Sequence, residues 1–152
     1  MFFAPSVNSY KRYTGDLTVA GGPLVWGFDN RTTTLRVVGE GPSLRAEHRF
    51  AGADVNPYLA AAALIASGLD GIERRLAPGP AFVGNAYARD DLPTAPRSLG
   101  EALDAFDANG FVSTTFGKDV VEHYVPLARA DWDAYTRAAV TDWEIDRAFE
   151  QA

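Results

Sequence analysis

The 152-residue chain contains no cysteine, which excludes disulfides, a thiol nucleophile and a cysteine-based zinc site. Long hydrophobic runs are also missing, since the longest, residues 58–66, is far too short to span a membrane. Basic residues are in the minority: 14 Lys and Arg stand against 20 Asp and Glu, and the net charge of -6 argues against a nucleic-acid or anionic-membrane partner. No charged leader with a cleavage site opens the chain, so we expect a cytoplasmic protein.

The composition that remains is typical of a one-domain globular protein, with 47% hydrophobic and 22% charged residues. Residues 32–38 and 45–50 have the pattern of strands, and the turn Gly39-Glu40-Gly41-Pro42 between them predicts a β-hairpin. The pair Asp29-Asn30 forms a turn just upstream. Helical patterns fill the later part of the chain. We therefore predict an α+β fold in which a short antiparallel sheet is followed by packed helices.

Charged side chains are concentrated on the predicted hairpin. Alternate residues of a strand share a face, so Arg45, Glu47 and Arg49 would line one charged face. Arg36 lies in the partner strand and Arg31 at its entrance. A carboxylate among guanidinium groups suits a site that handles a metal ion together with anionic groups. The alternative is an internal salt-bridge ladder, and this segment alone leaves both interpretations open.

Five motifs follow one another along the chain. They are Asn8-Ser9-Tyr10-Lys11-Arg12, Asn30-Arg31 with Leu35-Arg36, Arg45-Ala46-Glu47-His48-Arg49-Phe50, Asn56-Pro57-Tyr58-Leu59-Ala60 and Ala66-Ser67-Gly68-Leu69-Asp70-Gly71-Ile72-Glu73. In order and approximate spacing they resemble the C-terminal part of the catalytic domain of the glutamine synthetase family. The resemblance implies that residues 1–152 are the C-terminal portion of such a domain and that the hairpin belongs to its catalytic barrel.

The resemblance also implies roles for individual residues. Glu47 matches a ligand of one of two catalytic divalent metals, Mg²⁺ or Mn²⁺. Arg12 and Arg49 match arginines that bind the substrate glutamate. Arg31 and Arg36 match arginines that contact the phosphates of ATP, and Arg31 is the residue expected to act catalytically on the phosphoryl group in flight.

The implied reaction has two steps. The side-chain carboxylate of glutamate attacks the γ-phosphate of ATP, and ammonia or an amine then displaces phosphate from γ-glutamyl phosphate. A metal and a group of arginines suit this chemistry, because phosphoryl transfer is catalysed largely by positioning and by positive charge. The family resemblance further implies a homo-oligomer for the full-length enzyme.

The loop at residues 13–23 departs from the family pattern. Ammonium-using members carry a glutamate here that helps to deprotonate ammonium, whereas this loop has Thr18 or Val19 at the matching place and Asp16 as its only acid. The departure makes the chain more similar to the γ-glutamyl-amine and γ-glutamylpolyamine ligases of the family. The alternative is that the sequence of this loop varies freely and says nothing about the second substrate.

The family's other metal-binding carboxylates, its His-x-His-x-Ser nucleotide motif and its N-terminal domain have no match in these residues. We therefore expect a fragment or a truncated product that is inactive on its own. One alternative is a non-catalytic remnant or binding module that associates with a full-length synthetase. Another is an unrelated scaffold in which Arg45, Glu47 and Arg49 form a purely structural ladder.

The helical part is predicted from its end signals. Asn56 as a cap and Pro57 at the first position begin an apolar helix that reaches Leu76 and should be largely buried, with Gly68 and Gly71 packed closely against a neighbour. Residues 77–97 are rich in proline and predict an extended surface connection without chemistry.

Capping boxes at Ser98 and Thr141 predict helices over residues 99–109 and 142–150. Between them, residues 118–139 form an amphipathic pattern that contains Pro126. Trp132 and Trp143 are expected to be packing residues. His48 and His123 are expected to be structural.

Overall fold

The computed structural model describes residues 1–13 and 23–151. The loop with Asp16, Thr18 and Val19, from which we inferred a departure from ammonium use, lies outside the described residues. No helix in the described ranges is long and apolar enough to cross a membrane.

Three strands form one sheet in the order β1 (Trp26–Phe28), β2 (Leu35–Val38) and β3 (Arg45–His48). The pair β2–β3 is the predicted antiparallel hairpin, whereas β1 runs parallel to β2, so the sheet is mixed. This parallel strand was not predicted. Its three residues are too few to show an alternating pattern, and its position depends on contacts distant in sequence, such as the hydrogen bond from Phe82 N to Trp26 O at 2.8 Å.

Five helices follow the sheet, which confirms the α+β class. They are α1 (Pro57–Glu73), α2 (Leu99–Asp107), α3 (Gly110–Phe116), α4 (Lys118–Ala138) and α5 (Asp142–Glu150). Short 3-10 helices span Val7–Tyr13, Gly41–Ser43 and Ala86–Ala88.

The predicted helix starts are confirmed by the caps. The side chain of Asn56 accepts hydrogen bonds from Tyr58 N at 3.0 Å and Leu59 N at 3.3 Å. Thr141 and Glu144 form a complete capping box at α5. Helix α3 was not predicted, because its seven residues include Gly, Ser, Thr and Val, which have low helix propensity.

The core lies between the N-terminal segment and helices α2 to α4. Leu99 and Leu103 of α2 are fully buried against Ala4 and Tyr10. A second cluster centres on Phe2, whose ring makes edge-on contacts with three other aromatic rings. These contacts are with Phe106 at 5.0 Å, Phe116 at 5.1 Å and Tyr124 at 5.9 Å.

Helix α1 contradicts the prediction that it is largely buried. Ala63 is its one buried residue, and Ile72 is 74% exposed. Within the described part of the chain, nothing lies within 4 Å of a Cβ placed on Gly68 or Gly71, so their predicted close packing was also wrong. The helix is apolar on most faces, but the described chain covers only the stripe that meets the Phe2 cluster.

The tryptophans of helices α4 and α5 differ in their surroundings. Trp132 of α4 packs against the Leu99 cluster, as predicted. Trp143 of α5 is 67% exposed, and its ring is contacted by the guanidinium of Arg147 at 5.5 Å. The prediction of a packing role for Trp143 was therefore wrong, because no core element of the described chain covers this face of α5.

Candidate active site

Arg36 and Glu47 face each other across the hairpin. They are direct partners in the β2–β3 register, and Arg36 Nη1 donates to Glu47 Oε2 at 3.0 Å. Directly opposed residues of antiparallel strands have side chains close enough to interact. The register of the hairpin is therefore enough to bring Arg36 and Glu47 together. The pair lies at the centre of the sheet's charged face.

Glu47 contacts a second guanidinium. Its Oε1 accepts from Arg49 Nη1 at 2.6 Å, so each carboxylate oxygen is held by an arginine. The side chains of Arg36 and Arg49 are only 14% and 15% exposed, while that of Glu47 is 38% exposed. The hydrogen bond from Arg49, supported by that from Arg36, holds the pKa of Glu47 below its ordinary value. Glu47 is therefore an ionised oxygen donor near neutral pH.

Asp29 extends this group on the other side of Arg36. Arg36 Nε donates to Asp29 Oδ1 at 3.0 Å, and Arg36 Nη2 contacts the same oxygen. The hydrogen bond from Arg36 holds the pKa of Asp29 below its ordinary value. Sequence reasoning treated Asp29 only as a turn residue. The signal that would have found it is the pairing of β1 with the arginine-bearing strand, in which Gly27 lies opposite Arg36 and residue 29 follows two positions later, within reach of the Arg36 side chain.

A cleft of about 500 Å³ opens beside this group. Asp29, Arg31 and Arg36 line it together, so Arg31 shares the cleft with the arginine that holds Glu47. Residues 81–84 also line the cleft, and Asn30 Nδ2 joins this segment to the turn by donating to Gly84 O at 2.9 Å. Residues 81–84 of the predicted surface connection thus line the cleft, while the absence of chemistry in residues 77–97 stays a prediction.

Arg12 lies in a different cluster. It is exposed at the end of the Val7–Tyr13 helix and approaches Gly52, where an added Cβ would come within 2.9 Å of Arg12 Nη1. Asp54 secures this region by accepting from Ser6 Oγ at 2.8 Å and Ser9 Oγ at 2.5 Å. In the described chain, no hydrogen bond or ion pair joins Arg12 to Glu47.

Arg45 is on the strand but outside the ion-pair group. Its side chain is exposed, and its Nη1 donates to Ser43 O at 3.1 Å. The predicted alternation of Arg45, Glu47 and Arg49 thus brings together two of the three side chains. Arg36 and Asp29 from the neighbouring strand region complete the group instead.

Glu47 suits a hard divalent cation as a single carboxylate ligand. Both of its carboxylate oxygens accept hydrogen bonds from guanidinium groups, so positive charge already lies beside this carboxylate. Across residues 1–13 and 23–151, no three His, Cys, Asp or Glu residues are grouped so that they could hold a metal ion. The described residues therefore fit a metal only as one ligand of a larger set.

Comparisons with known proteins identify similar chains. A family model described as the glutamine synthetase catalytic domain matches residues 1–148. A γ-glutamylethanolamide synthetase of Streptomyces coelicolor is 48% identical over 151 residues, covering 99% of this chain and 32% of that protein. A glutamate–isopropylamine ligase of a Pseudomonas species is 40% identical, covering 95% of this chain and 32% of that protein. A glutamine synthetase of Thermus thermophilus is 36% identical, covering 94% of this chain and 33% of that protein.

A solved structure of a GmaS/ADP complex superposes with a TM-score of 0.84 at 28% sequence identity. The match covers 98% of this chain and 35% of that one. The chain thus spans about a third of the length of the relatives it matches.

Proposed function

The chain belongs to the glutamine synthetase family, and from this premise we propose that it forms the C-terminal part of the active site of an ATP-dependent ligase that joins glutamate to an amine. The observation that carries the proposal is the pair Arg36–Glu47, set beside a cleft that Arg31 also lines. Such a group places positive charge and an oxygen ligand side by side, which is what the transfer of a phosphoryl group from ATP requires.

The proposed roles follow the family motifs. Arg31 and Arg36 bind the phosphates of ATP in the cleft, and Arg31 neutralises charge on the phosphoryl group during transfer. Arg49 and Arg12 bind the substrate glutamate. Glu47 is one ligand of a divalent metal, Mg²⁺ or Mn²⁺, which when bound would supply further positive charge to the phosphates. The remaining metal ligands would come from the family's upstream region.

We propose that the second substrate is an amine and not ammonia. Two relatives named for amine substrates are 48% and 40% identical to this chain, against 36% for the Thermus glutamine synthetase. The loop without a glutamate at residues 14–22 supports the same choice. The proposed partners are thus glutamate, ATP and an amine, within a homo-oligomeric enzyme.

The test is a chimera in which this chain replaces the corresponding last part of the Streptomyces relative. We expect ATP- and glutamate-dependent release of phosphate with a γ-glutamyl-amide product when amines are offered. Arg36→Gln should abolish the activity. Arg89→Gln is the matched control, because Arg89 is also paired with an aspartate, Asp91, but does not line the cleft.

A folded chimera that makes no γ-glutamyl product from ammonium or from any amine of a broad panel would contradict the proposal. A chimera that uses ammonium alone would support the proposed ligase activity but contradict the proposal that the second substrate is an amine. Product mass, measured by mass spectrometry, separates these outcomes directly.

A further inference from the structure

We infer that Asp29 is a positioning residue that fixes the guanidinium of Arg36 at the cleft. The inference rests on the proposed function, in which Arg36 binds phosphate. The contacts by which Asp29 holds Arg36 can be tested independently of that function. Asp29 lies on the rim of the cleft with its side chain 71% exposed.

The first support is the number of contacts that hold Arg36. Three of the five N–H groups of its guanidinium point at carboxylates. Two of them meet the same oxygen of Asp29, and the third meets Glu47 on the opposite side. Contacts from two sides define both the position and the plane of the group. Arginine otherwise has a long, mobile side chain, and fixing it in advance removes an entropy cost from ligand binding.

The second support is the backbone that delivers the carboxylate. Asp29 has a φ of 46°, in the left-handed region that aspartate enters more readily than most residues. Its amide donates to Val37 O at 2.8 Å, which fixes it to the end of β2. The next residue, Asn30, accepts from Thr32 N at 2.9 Å. The carboxylate of Asp29 is therefore presented from a backbone that is held on both sides.

An exposed ion pair without a function is the competing explanation, and the chain contains one for comparison. Arg89 Nε and Nη2 donate to Asp91 at 2.7 and 2.6 Å, in a pair whose arginine side chain is 52% exposed. Arg36 is only 14% exposed and has a further carboxylate partner in Glu47. Exposed pairs of the Arg89 kind contribute little to stability. Both aspartates are exposed, so the pair Arg36–Asp29 differs from the Arg89 pair in the burial of its arginine and in the contact of that arginine with Glu47.

Two effects of Asp29 on phosphate binding have opposite signs. As a negative charge at the cleft, Asp29 repels an anion, so its removal alone would tighten phosphate binding. As the support of Arg36, it keeps the cation in place, so its removal would weaken phosphate binding. A positioning role requires the second effect to win. The sign of the change in affinity therefore separates positioning from simple charge compensation.

The experiment follows the Arg36 Nε–H signal by ¹H–¹⁵N NMR in the 152-residue chain, with the signal assigned from its absence in Arg36→Lys. We expect protection from solvent exchange at pH 7 and its loss in Asp29→Asn. Asp91→Asn is the matched control and should alter the Arg89 signal alone. An Arg36 signal that is unprotected in the wild type, or unchanged in Asp29→Asn, overturns the inference.

The same samples are titrated with inorganic tripolyphosphate. The dissociation constant should rise about threefold to tenfold in Asp29→Asn. Tighter binding of tripolyphosphate to Asp29→Asn would overturn the inference and show that Asp29 acts mainly as a negative charge at the cleft. If tripolyphosphate does not bind the wild type, the proposed phosphate role of Arg36 is contradicted. The inference that Asp29 positions Arg36 still stands in that case, provided that the Arg36 Nε–H signal is protected in the wild type and loses its protection in Asp29→Asn.

If Asp29→Asn fails to fold, acid titration of the wild type replaces it. Because the pKa of Asp29 is held below its ordinary value of 3.8, protection of the Arg36 signal should persist down to that pH and disappear below it. Loss of protection well above pH 3.8 would overturn the inference.

Discussion

The sheet and the helical layer of this molecule are stabilised in different ways. In the helical layer, Leu99 and Leu103 are completely buried, and apolar contacts supply the free energy of folding. On the sheet, Asp29, Arg36 and Glu47 form ion pairs at a partly exposed surface, where such pairs add little to stability. Substitutions in the two regions should therefore have separable consequences: loss of stability in the first, and loss of ligand binding and chemistry in the second.

The largest effect on stability is expected from Leu103→Ala in α2. Removing a fully buried leucine side chain should lower the free energy of unfolding by about 3 kcal/mol, from lost burial and the cavity left behind. Urea unfolding followed by circular dichroism measures this change. Leu127→Ala in α4, at a site that is 59% exposed, is the control and should cost much less. Equal losses for the two variants would contradict the assignment of the core to α2.

Beside that of Arg36→Gln, a large effect on chemistry is expected from Glu47→Gln. The amide keeps the shape but removes the charge of a proposed metal ligand and of the partner of two arginines. Activity of the chimera should fall at least about a hundredfold, which is the upper range for loss of a residue that merely supports a metal ligand. Thermal unfolding should change far less than in Leu103→Ala. A normal rate in Glu47→Gln at limiting Mg²⁺ or Mn²⁺ would exclude Glu47 as a metal ligand.

A smaller loss of stability is expected from Gly100→Ala. A Cβ at this position would lie 2.7 Å from Nε1 of Trp132, so α2 and α4 would have to move apart, at about 1–3 kcal/mol. Gly71→Ala in α1 is the matched control, since the described chain leaves open space there and alanine favours the helix. The melting temperature should fall in the first variant and rise in the second. A fall in both would mean that a neighbour covers α1.

The smallest effect concerns pH. Burial acts to raise the pKa of Asp54, but hydrogen bonds from Ser9 and Ser6 outweigh it and hold the pKa below its ordinary value of 3.8. The unfolded chain therefore binds this proton more readily. The contribution of Asp54 to stability is complete above pH 3.8 and is lost as the pH falls through the lower, folded-state pKa. Asp54→Asn should flatten this part of the stability profile in urea titrations at a series of pH values. A profile with unchanged slope would show that Asp54 does not contribute.

The sequence predicts well what is encoded locally. The hairpin turn and the helix starts at Asn56, Ser98 and Thr141 depend on neighbouring residues, and the structure confirms them. The predicted capping box is complete at Thr141, whereas at Ser98 the side chain of Glu101 accepts from Arg97 N instead. The contact between Arg36 and Glu47 follows from the same hairpin. Strand β1 and the role of residues 81–84 depend on contacts between distant segments, which local patterns do not reveal.

Burial was the other quantity that sequence did not predict. The apolar pattern of α1 indicates what the helix prefers to contact, whereas its exposure depends on which segments are there to cover it. Trp143 was mispredicted for the same reason. Asp29 was missed because its contact with Arg36 depends on the parallel pairing of β1 with β2, which the sequence did not show. The roles of Arg12, Arg31, Arg36, Glu47 and Arg49 in the reaction stay predictions.

The most direct test of the division between the two regions compares Arg36→Gln with Leu103→Ala in the chimera, at a temperature where both are folded. The measurement is the ATP-dependent rate of γ-glutamyl-amide formation beside the thermal midpoint of each variant. We predict that Arg36→Gln loses the rate and keeps most of its thermal stability, while Leu103→Ala keeps the rate and loses stability. A normal rate in Arg36→Gln, or parallel loss of rate and stability in both variants, would contradict the account.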